Sequence, residues 1–329
     1  MRNTGLKAVY DVRDARARGR YNRPSGAMWL VGGGAALASL VMYFFVSTRA
    51  LSVQREKLLA KRRAVESTLG VRWSPLRDRV ESWVLQKGAL DYEGDFVDAG
   101  AARLNLQTRP GIYLRLRKTD TIAIESLRKA AAESKRDAFV ACFFSMPAAS
   151  SATTIADAGA ENQPWNLQQA YVATRILGNE WLSEVRQADD KLRLRVFEDQ
   201  YDKAVKDEIP TAIDLLQHAE FFTLVIDDDR NTDVHAKHAG DAISEAVLQL
   251  VQHPVYVYGF DLKSGTELLR LKMTAGNATF EQAGEHAVTD PEMRNAMQRQ
   301  VNNCSLGQQA HLFVVRGSAD THLPNIPQP

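Results

Sequence analysis

The residues best suited to chemistry follow one apolar run, and they are mainly aspartates and histidines. Residues 221–226 are β-branched and aromatic, and they lead directly into DDDRNTDVHAKH at 227–238. Carboxylate oxygens are the ligands that calcium and magnesium prefer, and histidine nitrogens suit zinc. The sequence therefore predicts a divalent-cation site with the ligands Asp227, Asp229, Asp233, His235 and His238.

A second interpretation of this segment is a solvated acidic turn that caps the following helix. An EF-hand loop beginning at Asp227 would need glycine at its sixth position and glutamate at its twelfth. Thr232 and His238 stand there instead. The segment therefore does not match that type of calcium loop.

Short motifs of common enzyme classes do not occur in the sequence. It contains no G-x-x-x-x-G-K-[ST], G-x-G-x-x-G, G-x-S-x-G, H-E-x-x-H or paired C-x-x-C segment, so nucleotide, hydrolase and standard zinc sites lack their usual anchors. We predict no catalytic residue and no cofactor other than the divalent cation. A carboxylate-based hydrolase leaves no short signature, so a membrane-tethered hydrolase is kept as an alternative.

Length and charge limit the class of protein. A chain of 329 residues with 45% hydrophobic content is long enough to bury an ordinary core. The formal net charge is +1, whereas a nucleic-acid-binding domain needs a marked basic surplus to neutralise phosphates. We therefore expect no nucleic-acid partner.

Residues 27–46 predict a membrane-spanning helix. They form a run of 20 residues without a charge, and a helix of that length spans a hydrocarbon core of roughly 30 Å. Trp29 and Tyr43 lie near its ends, where aromatic rings favour the headgroup boundary. The run is longer than the apolar part of a cleaved signal peptide, so we predict a permanent anchor with the lipid bilayer as partner.

Charges beside this segment bear on its orientation. The tail at 1–26 carries seven basic residues and two acidic ones. Short basic tails stay in the cytoplasm, so we predict a cytoplasmic N-terminus and an extracytoplasmic C-terminal domain. Residues 49–63 are also basic, which weakens the contrast between the two flanks.

Two further patterns concern self-association and the residues after the span. Small residues at 32–39 would let a second helix approach closely. Leu51, Leu58 and Val65 recur every seven residues, which predicts a helical stalk at 47–70. Two heptads are too few to establish a coiled coil.

Cys142 and Cys304 are the only cysteines in the sequence. They allow at most one internal disulfide and exclude a disulfide-dense scaffold. Because Cys142 lies in an apolar run, we favour a buried thiol that packs as a small apolar side chain. A disulfide with Cys304 is the alternative.

Apolar periodicity predicts alternating helices and strands in the rest of the chain. Strands are predicted at 112–117, 138–146, 221–226, 255–261, 267–273 and 311–315. Helices are predicted at 75–87, 121–134, 166–187, 192–208, 239–252 and 290–301. Ser74 before Pro75 and Thr289 before Asp290 are expected helix caps.

These elements predict an α+β or α/β fold. One transmembrane helix and the stalk would lead into a soluble domain at 71–316, with a mixed sheet and flanking helices. The Ala-, Ser- and Thr-rich segment at 147–164 is the candidate internal boundary, and the proline-rich end at 317–329 is expected to be disordered.

The functional prediction is a single-pass membrane-anchored protein with an extracytoplasmic interaction domain. It would act as a non-enzymatic envelope or assembly component that binds another protein or its own copy. The alternative is a membrane-anchored sensor that holds a ligand or cation at 227–238.

Overall fold

The computed structural model describes residues 26–98, 109–135, 137–144, 164–230, 244–276, 278 and 290–317. In these residues the chain has a mixed α/β architecture, with a six-stranded mixed sheet and a long apolar N-terminal helix. Residues 1–25, most of the predicted loop at 147–164 and most of the predicted tail at 317–329 lie outside the described residues.

The elements are named α1 to α10 and β1 to β6 in chain order. The first seven are α1 (Gly26–Val65), α2 (Val71–Ala89), β1 (Phe96–Val97), β2 (Gly111–Arg117), α3 (Ile124–Glu133), α4 (Ala138–Phe144) and β3 (Trp165–Asn166). The next are α5 (Gln168–Ala173), α6 (Asn179–Gln187), α7 (Lys191–Lys203), α8 (Ile209–His218), β4 (Phe221–Asp227), α9 (Glu245–Leu248), β5 (His253–Asp261), β6 (Glu267–Ala275) and α10 (Pro291–Gly317).

The strand order in the sheet is β1-β6-β5-β4-β2-β3. β2 pairs in parallel with β3 and β4, whereas β5 is antiparallel to β4 and β6, and β1 is antiparallel to β6. β5 and β6 form the hairpin predicted from the sequence. Gly265 in its turn has a φ of +75°, a left-handed conformation that glycine adopts without steric cost.

Successive strand residues face opposite layers of the fold, which produces two apolar cores. Ile112, Leu114 and Leu116 of β2 face the larger core, which also contains side chains of α2, α3 and α5 to α8. Tyr113 faces the smaller core, formed with α4 and α10. Both faces of the sheet are therefore covered, and buried side chains lie on both sides of β2 and β4.

A disulfide joins the two helices of the smaller core. Cys142 of α4 is bonded to Cys304 of α10, with a Cα–Cα distance of 5.1 Å. The favoured expectation of a free buried thiol at Cys142 is therefore wrong in this structure. Cys142 is also buried, so burial alone did not distinguish the two alternatives.

The first helix continues far beyond the apolar segment and joins the domain. A π-helical turn at Glu66–Gly70 links α1 to α2. Leu58, Leu59 and Val65 are buried in the larger core, and Arg62 Nε donates to the Ile176 carbonyl at 2.9 Å. The residues predicted as a stalk are helical, and their second half packs against the domain.

Among the described residues, one helix is long and apolar enough to cross a membrane, and it is the N-terminal one. The large side chains described in its apolar segment, at 37–46, do not pack against the domain. Exposed fractions between 56% and 71% are found for Leu37, Leu40, Val41, Met42, Tyr43, Phe45 and Val46.

Two predicted strands are helical in the structure. The run at 138–146 contains α4, and residues 311–315 belong to the end of α10. A short apolar run without alternation fits a buried helix as well as a strand, and here the choice depends on helix packing. Gly307 of α10 allows α4 to approach closely, since a Cβ at that position would lie 2.5 Å from the Phe139 carbonyl oxygen.

Several predicted helix boundaries also differ. Ser74 is not a cap, because α2 begins at Val71 and Pro75 lies inside it. The helix predicted at 166–187 is divided into α5 and α6, and the extended backbone of Gly178 precedes α6. Pro210 does not follow a helix end but lies within a continuous helical stretch, at the start of α8 and directly after a π-helical turn at Ala204–Glu208.

Candidate functional site

A buried ion pair joins two parallel strands near their carboxyl ends. Arg115 of β2 donates from Nε and Nη2 to the two carboxylate oxygens of Asp227 of β4, with both distances 2.7 Å. The side chains are each only 3% exposed. A bidentate arginine–carboxylate pair is one of the strong forms of charge-assisted hydrogen bonding. This buried pair lies at the end of the smaller core.

Further polar groups use the rest of the Arg115 guanidinium. Its Nη1 donates to Asp137, just before α4, and to Asn303 Oδ1 of α10 at 2.9 Å. Tyr113 donates its hydroxyl proton to Asp137 at 3.1 Å. The ion pair therefore ties the sheet to both helices of the smaller core, and Arg115 is held by its neighbours rather than offered to a ligand.

His253 of β5 completes this buried network. Its Nε2 lies 2.8 Å from Asp227 Oδ1, and its Nδ1 lies 2.9 Å from the Val251 carbonyl oxygen. A carbonyl and an ionised carboxylate both accept hydrogen bonds, so each ring nitrogen of His253 faces an acceptor. The network therefore places the Arg115 guanidinium between the Asp137 and Asp227 carboxylates, with the His253 ring beside Asp227.

Burial and charge act in opposite directions on the pKa of Asp227. Burial would raise the pKa, but the charge and hydrogen bonds of Arg115, together with His253, outweigh it, so the pKa lies well below its ordinary value. Burial raises the pKa of Tyr113, and the charge of Asp137 adds to the rise. The network therefore stabilises the ionised form of Asp227 and the neutral form of Tyr113.

The lowered pKa of Asp227 predicts loss of stability in acid. An aspartate in an unfolded chain titrates near pH 4, so the Asp227 contribution is complete above about pH 5 and declines as the pH falls below about 4. We expect the melting temperature to fall more steeply between pH 5 and pH 3 in the wild type than in Asp227→Asn, which lacks this titration. Equal pH profiles for the two proteins would contradict the prediction.

A polar cleft of about 240 Å³ opens beside the buried network. β3 pairs only with Ile112 and Tyr113, so in the described residues the second half of β2 has no strand neighbour on that side. Ser134 Oγ donates to the Arg115 carbonyl there at 3.0 Å. The cleft is lined by Arg115, Leu116, Arg117, Asp120, Ala130, Glu133, Ser134, Asp227, Ser244 and Glu245.

The charges in the cleft leave it acidic. Arg115 is paired with Asp227, and Arg117 is paired with Asp120 at 3.1 Å. Glu133 and Glu245 also line the cleft, and no arginine or lysine in the described part of the chain forms an ion pair with either. The cleft therefore has the size and charge to accept a small ligand with a positive group.

The structure brings together only part of the predicted cation site. Asp227 is engaged by Arg115 and His253, and the Asp229 carboxylate accepts from the Thr119 hydroxyl at 2.5 Å. Asp233, His235 and His238 lie outside the described residues. Within the described ranges no group of three or more His, Cys, Asp or Glu side chains is arranged to hold a metal, and the site at 227–238 stays a prediction.

The partners of Asp227 are what sequence reasoning missed. Arg115 occupies one position in the alternating pattern of β2, which by itself indicates only a strand. His253, Asp137 and Asn303 are far apart in the chain and carry no local signature. A charged residue in a parallel strand that helices cover on both faces is the one available signal, because such a charge needs a buried partner.

Comparison of the chain with protein-family models, with curated proteins and with solved structures gives no match.

Proposed function

We propose that this chain is a single-pass membrane protein that holds its α/β domain outside the cytoplasm. There it serves as a non-enzymatic envelope or assembly component that binds another protein or a second copy of itself. The observation that carries the proposal is the exposed apolar segment of α1, in which seven large side chains between Leu37 and Val46 are more than half exposed. Such a surface is costly in water and favourable in lipid.

The disulfide supports the proposed orientation. Structural disulfides persist in oxidising compartments and are rare in the cytoplasm, and Cys142–Cys304 links two helices of a buried core. The basic tail at 1–26 favours the same orientation. Two independent features, one of sequence and one of packing, therefore favour an extracytoplasmic domain.

The spanning segment itself offers a route to self-association. A Cβ built at Gly32, Gly33 or Gly34 would meet no atom within 4 Å apart from the backbone of its own helix, so this part of α1 is open to a second helix. Small residues allow two helix backbones to approach closely in lipid. A second copy of the chain is accordingly one of the two partner classes in the proposal.

Reporter fusions test the proposed topology. In a bacterial host, alkaline phosphatase fused after Pro329 should be active, because this enzyme is active only outside the cytoplasm. Green fluorescent protein at the same position should be dark, because it fluoresces only inside the cytoplasm. Green fluorescent protein fused ahead of Met1 is the matched control and should fluoresce. Fluorescence at Pro329 without phosphatase activity would place the domain in the cytoplasm and contradict the proposal.

A ligand-binding role is the second candidate, and the acidic cleft beside β2 favours it. Ligands of open α/β sheets bind outside the carboxyl ends of the strands, and Arg117 and Asp227 end β2 and β4 there. Glu133 and Glu245 would attract an amino group or a metal cation. A sensor would use this cleft to detect a small cationic molecule.

Thermal shift measurements test the second candidate. We expect 1,4-diaminobutane, as a small dication, to raise the melting temperature of the full chain in detergent, and Glu245→Gln to reduce that shift because it removes one carboxylate. Glu292→Gln on α10 is the control, since Glu292 does not line the cleft. Calcium, magnesium and zinc in the same assay test the site at 227–238. The absence of a shift with all four probes would remove the support for this role.

A further inference from the structure

A second pocket, of about 290 Å³, lies between α2, α8 and the end of β5. The large apolar side chains that line it are Trp73, Leu76, Ile213, Leu216 and Leu262. Trp73 is only 3% exposed, and its ring contacts that of Tyr171 edge-on, with the centroids 5.7 Å apart. The apolar wall of the pocket is therefore held in place by the larger core.

The charged side chains that line this pocket in the described part of the chain are all basic. They are Arg72 and Arg79 of α2 and Lys263, which follows β5. Lys263 lies 3.2 Å from a carboxylate oxygen of Glu220, so its charge is compensated. Arg72 and Arg79 form no ion pair with any described residue. The pocket therefore presents two uncompensated positive charges, whereas the cleft beside β2 is acidic.

Other acidic residues near the pocket in the chain do not pair with its two arginines. Asp78 accepts from its neighbour Arg77 at 2.8 Å. Asp261 accepts from backbone N–H groups of the turn after β5. Asp214 of α8 is 74% exposed to water and does not line the pocket. The charges of the two arginines are therefore available to a ligand.

One hydrogen bond positions each of these guanidinium groups. Arg72 Nη2 donates to Gln217 Oε1 on α8, and Arg79 Nη1 donates to the Leu262 carbonyl oxygen, both at 2.7 Å. A guanidinium has five N–H donors. These contacts therefore orient the two groups and leave most of their donors without a partner among the described residues.

The two arginines lie at opposite ends of the apolar wall. They are seven positions apart on α2, or about 10 Å along the helix axis. Leu76 lies between them on the same face of the helix, because it is four residues from one and three from the other. A ligand with two carboxylates joined by an apolar spacer would contact both arginines and cover the wall between them.

We infer that this pocket binds a small aliphatic dicarboxylic acid. Its hydrocarbon chain lies against Leu76 and Leu216, and Arg72 and Arg79 each bind one carboxylate, since the planar fork of a guanidinium matches the two oxygens of that group. The inference is independent of the proposed membrane anchor and of the acidic cleft. It gives the domain a second ligand site, with a charge opposite to that of the cleft.

Fluorine NMR of the full chain in nanodiscs tests this site, with fluorotryptophan in place of tryptophan and suberate, a linear aliphatic dicarboxylate, as the probe. Trp73 lines the pocket, whereas Trp181 packs on Phe197 and serves as the internal control. Trp73→Phe and Trp181→Phe assign the two signals. We expect suberate to shift the Trp73 signal and to leave the Trp181 signal unchanged. The neutral diol of the same length should shift neither.

Arg72→Gln and Arg79→Gln should each weaken suberate binding about tenfold, because each removes one charge-assisted contact. Monomethyl suberate keeps the length but loses one carboxylate, so its affinity for the wild type should fall by a similar factor. Arg195→Gln is the matched control. Arg195 is exposed on α7 and does not line the pocket, so this variant should bind suberate as the wild type does.

Three results would overturn the inference. If suberate leaves the Trp73 signal unchanged, the pocket does not bind this class of ligand. If the diol shifts the signal as strongly as suberate does, apolar contact alone accounts for binding. If Arg72→Gln and Arg79→Gln bind suberate like Arg195→Gln, or if monomethyl suberate binds as tightly as suberate, the two arginines do not hold two carboxylates.

Discussion

Asp227→Asn is expected to destabilise the folded chain by about 3 to 5 kcal/mol, because it removes one partner of a buried ion pair and leaves the other without compensation. Asparagine keeps the shape of the side chain but loses the negative charge that faces Arg115 and His253. Of the two carboxylates that face Arg115, only Asp137 would then remain. For a domain of this size the melting temperature should fall by about 10 °C, as measured by circular dichroism in detergent at pH 7.

The control for this change is an exposed aspartate. Asp214→Asn on α8 alters a side chain that is 74% exposed, and exposed changes of this kind usually alter stability by no more than about 0.5 kcal/mol. A loss below about 1 kcal/mol in Asp227→Asn would mean that the network contributes little. The description of Asp227 as the buried partner that stabilises Arg115 would then be wrong.

Loss of the disulfide is the second change with a large expected effect. Cys142 and Cys304 are separated by 162 positions, and removing a crosslink that closes so long a loop costs about 5 kcal/mol through the entropy of the unfolded chain. We expect the double variant Cys142→Ala with Cys304→Ala to melt well below the wild type. Reduction of the wild-type protein should reproduce that loss.

Reductant on the double variant is the control, since no disulfide is left to break and no further shift is expected. Thiol labelling of the unreduced wild type should find no free cysteine. Free thiols in protein taken from the membrane, together with no effect of reductant, would contradict both the bond and the proposed compartment.

Local patterns predicted the four longer strands of the sheet but not the two helical segments of the smaller core. β2, β4 and the β5–β6 hairpin follow from alternation, β-branched residues and a glycine turn, which act over neighbouring residues. By contrast, α4 and the end of α10 are helical because they pack closely on each other at Gly307 and bury one face against the sheet. Such packing depends on residues far apart in the chain, so a short apolar run cannot predict it.

The candidate site divides in the same way. Asp227 was identifiable because it follows a strand and begins an acidic segment, yet the sequence suggested a metal ligand. The structure instead pairs it with Arg115, which lies 112 positions earlier, and with His253, which lies 26 positions later. The cleft at β2 was also beyond sequence reasoning, because it depends on how far β3 extends along β2.

The sequence by itself determined the long apolar helix, the basic tail, the small number of cysteines and the four longer strands of the central sheet. These features depend on composition and on spacing within one element. The tertiary structure decided that Cys142 bonds to Cys304, that Arg115 pairs with Asp227, and that the loop before α7 contacts Arg55 of α1. These are contacts between distant segments, and only the packing of helices on both faces of the sheet brings such segments within bonding distance.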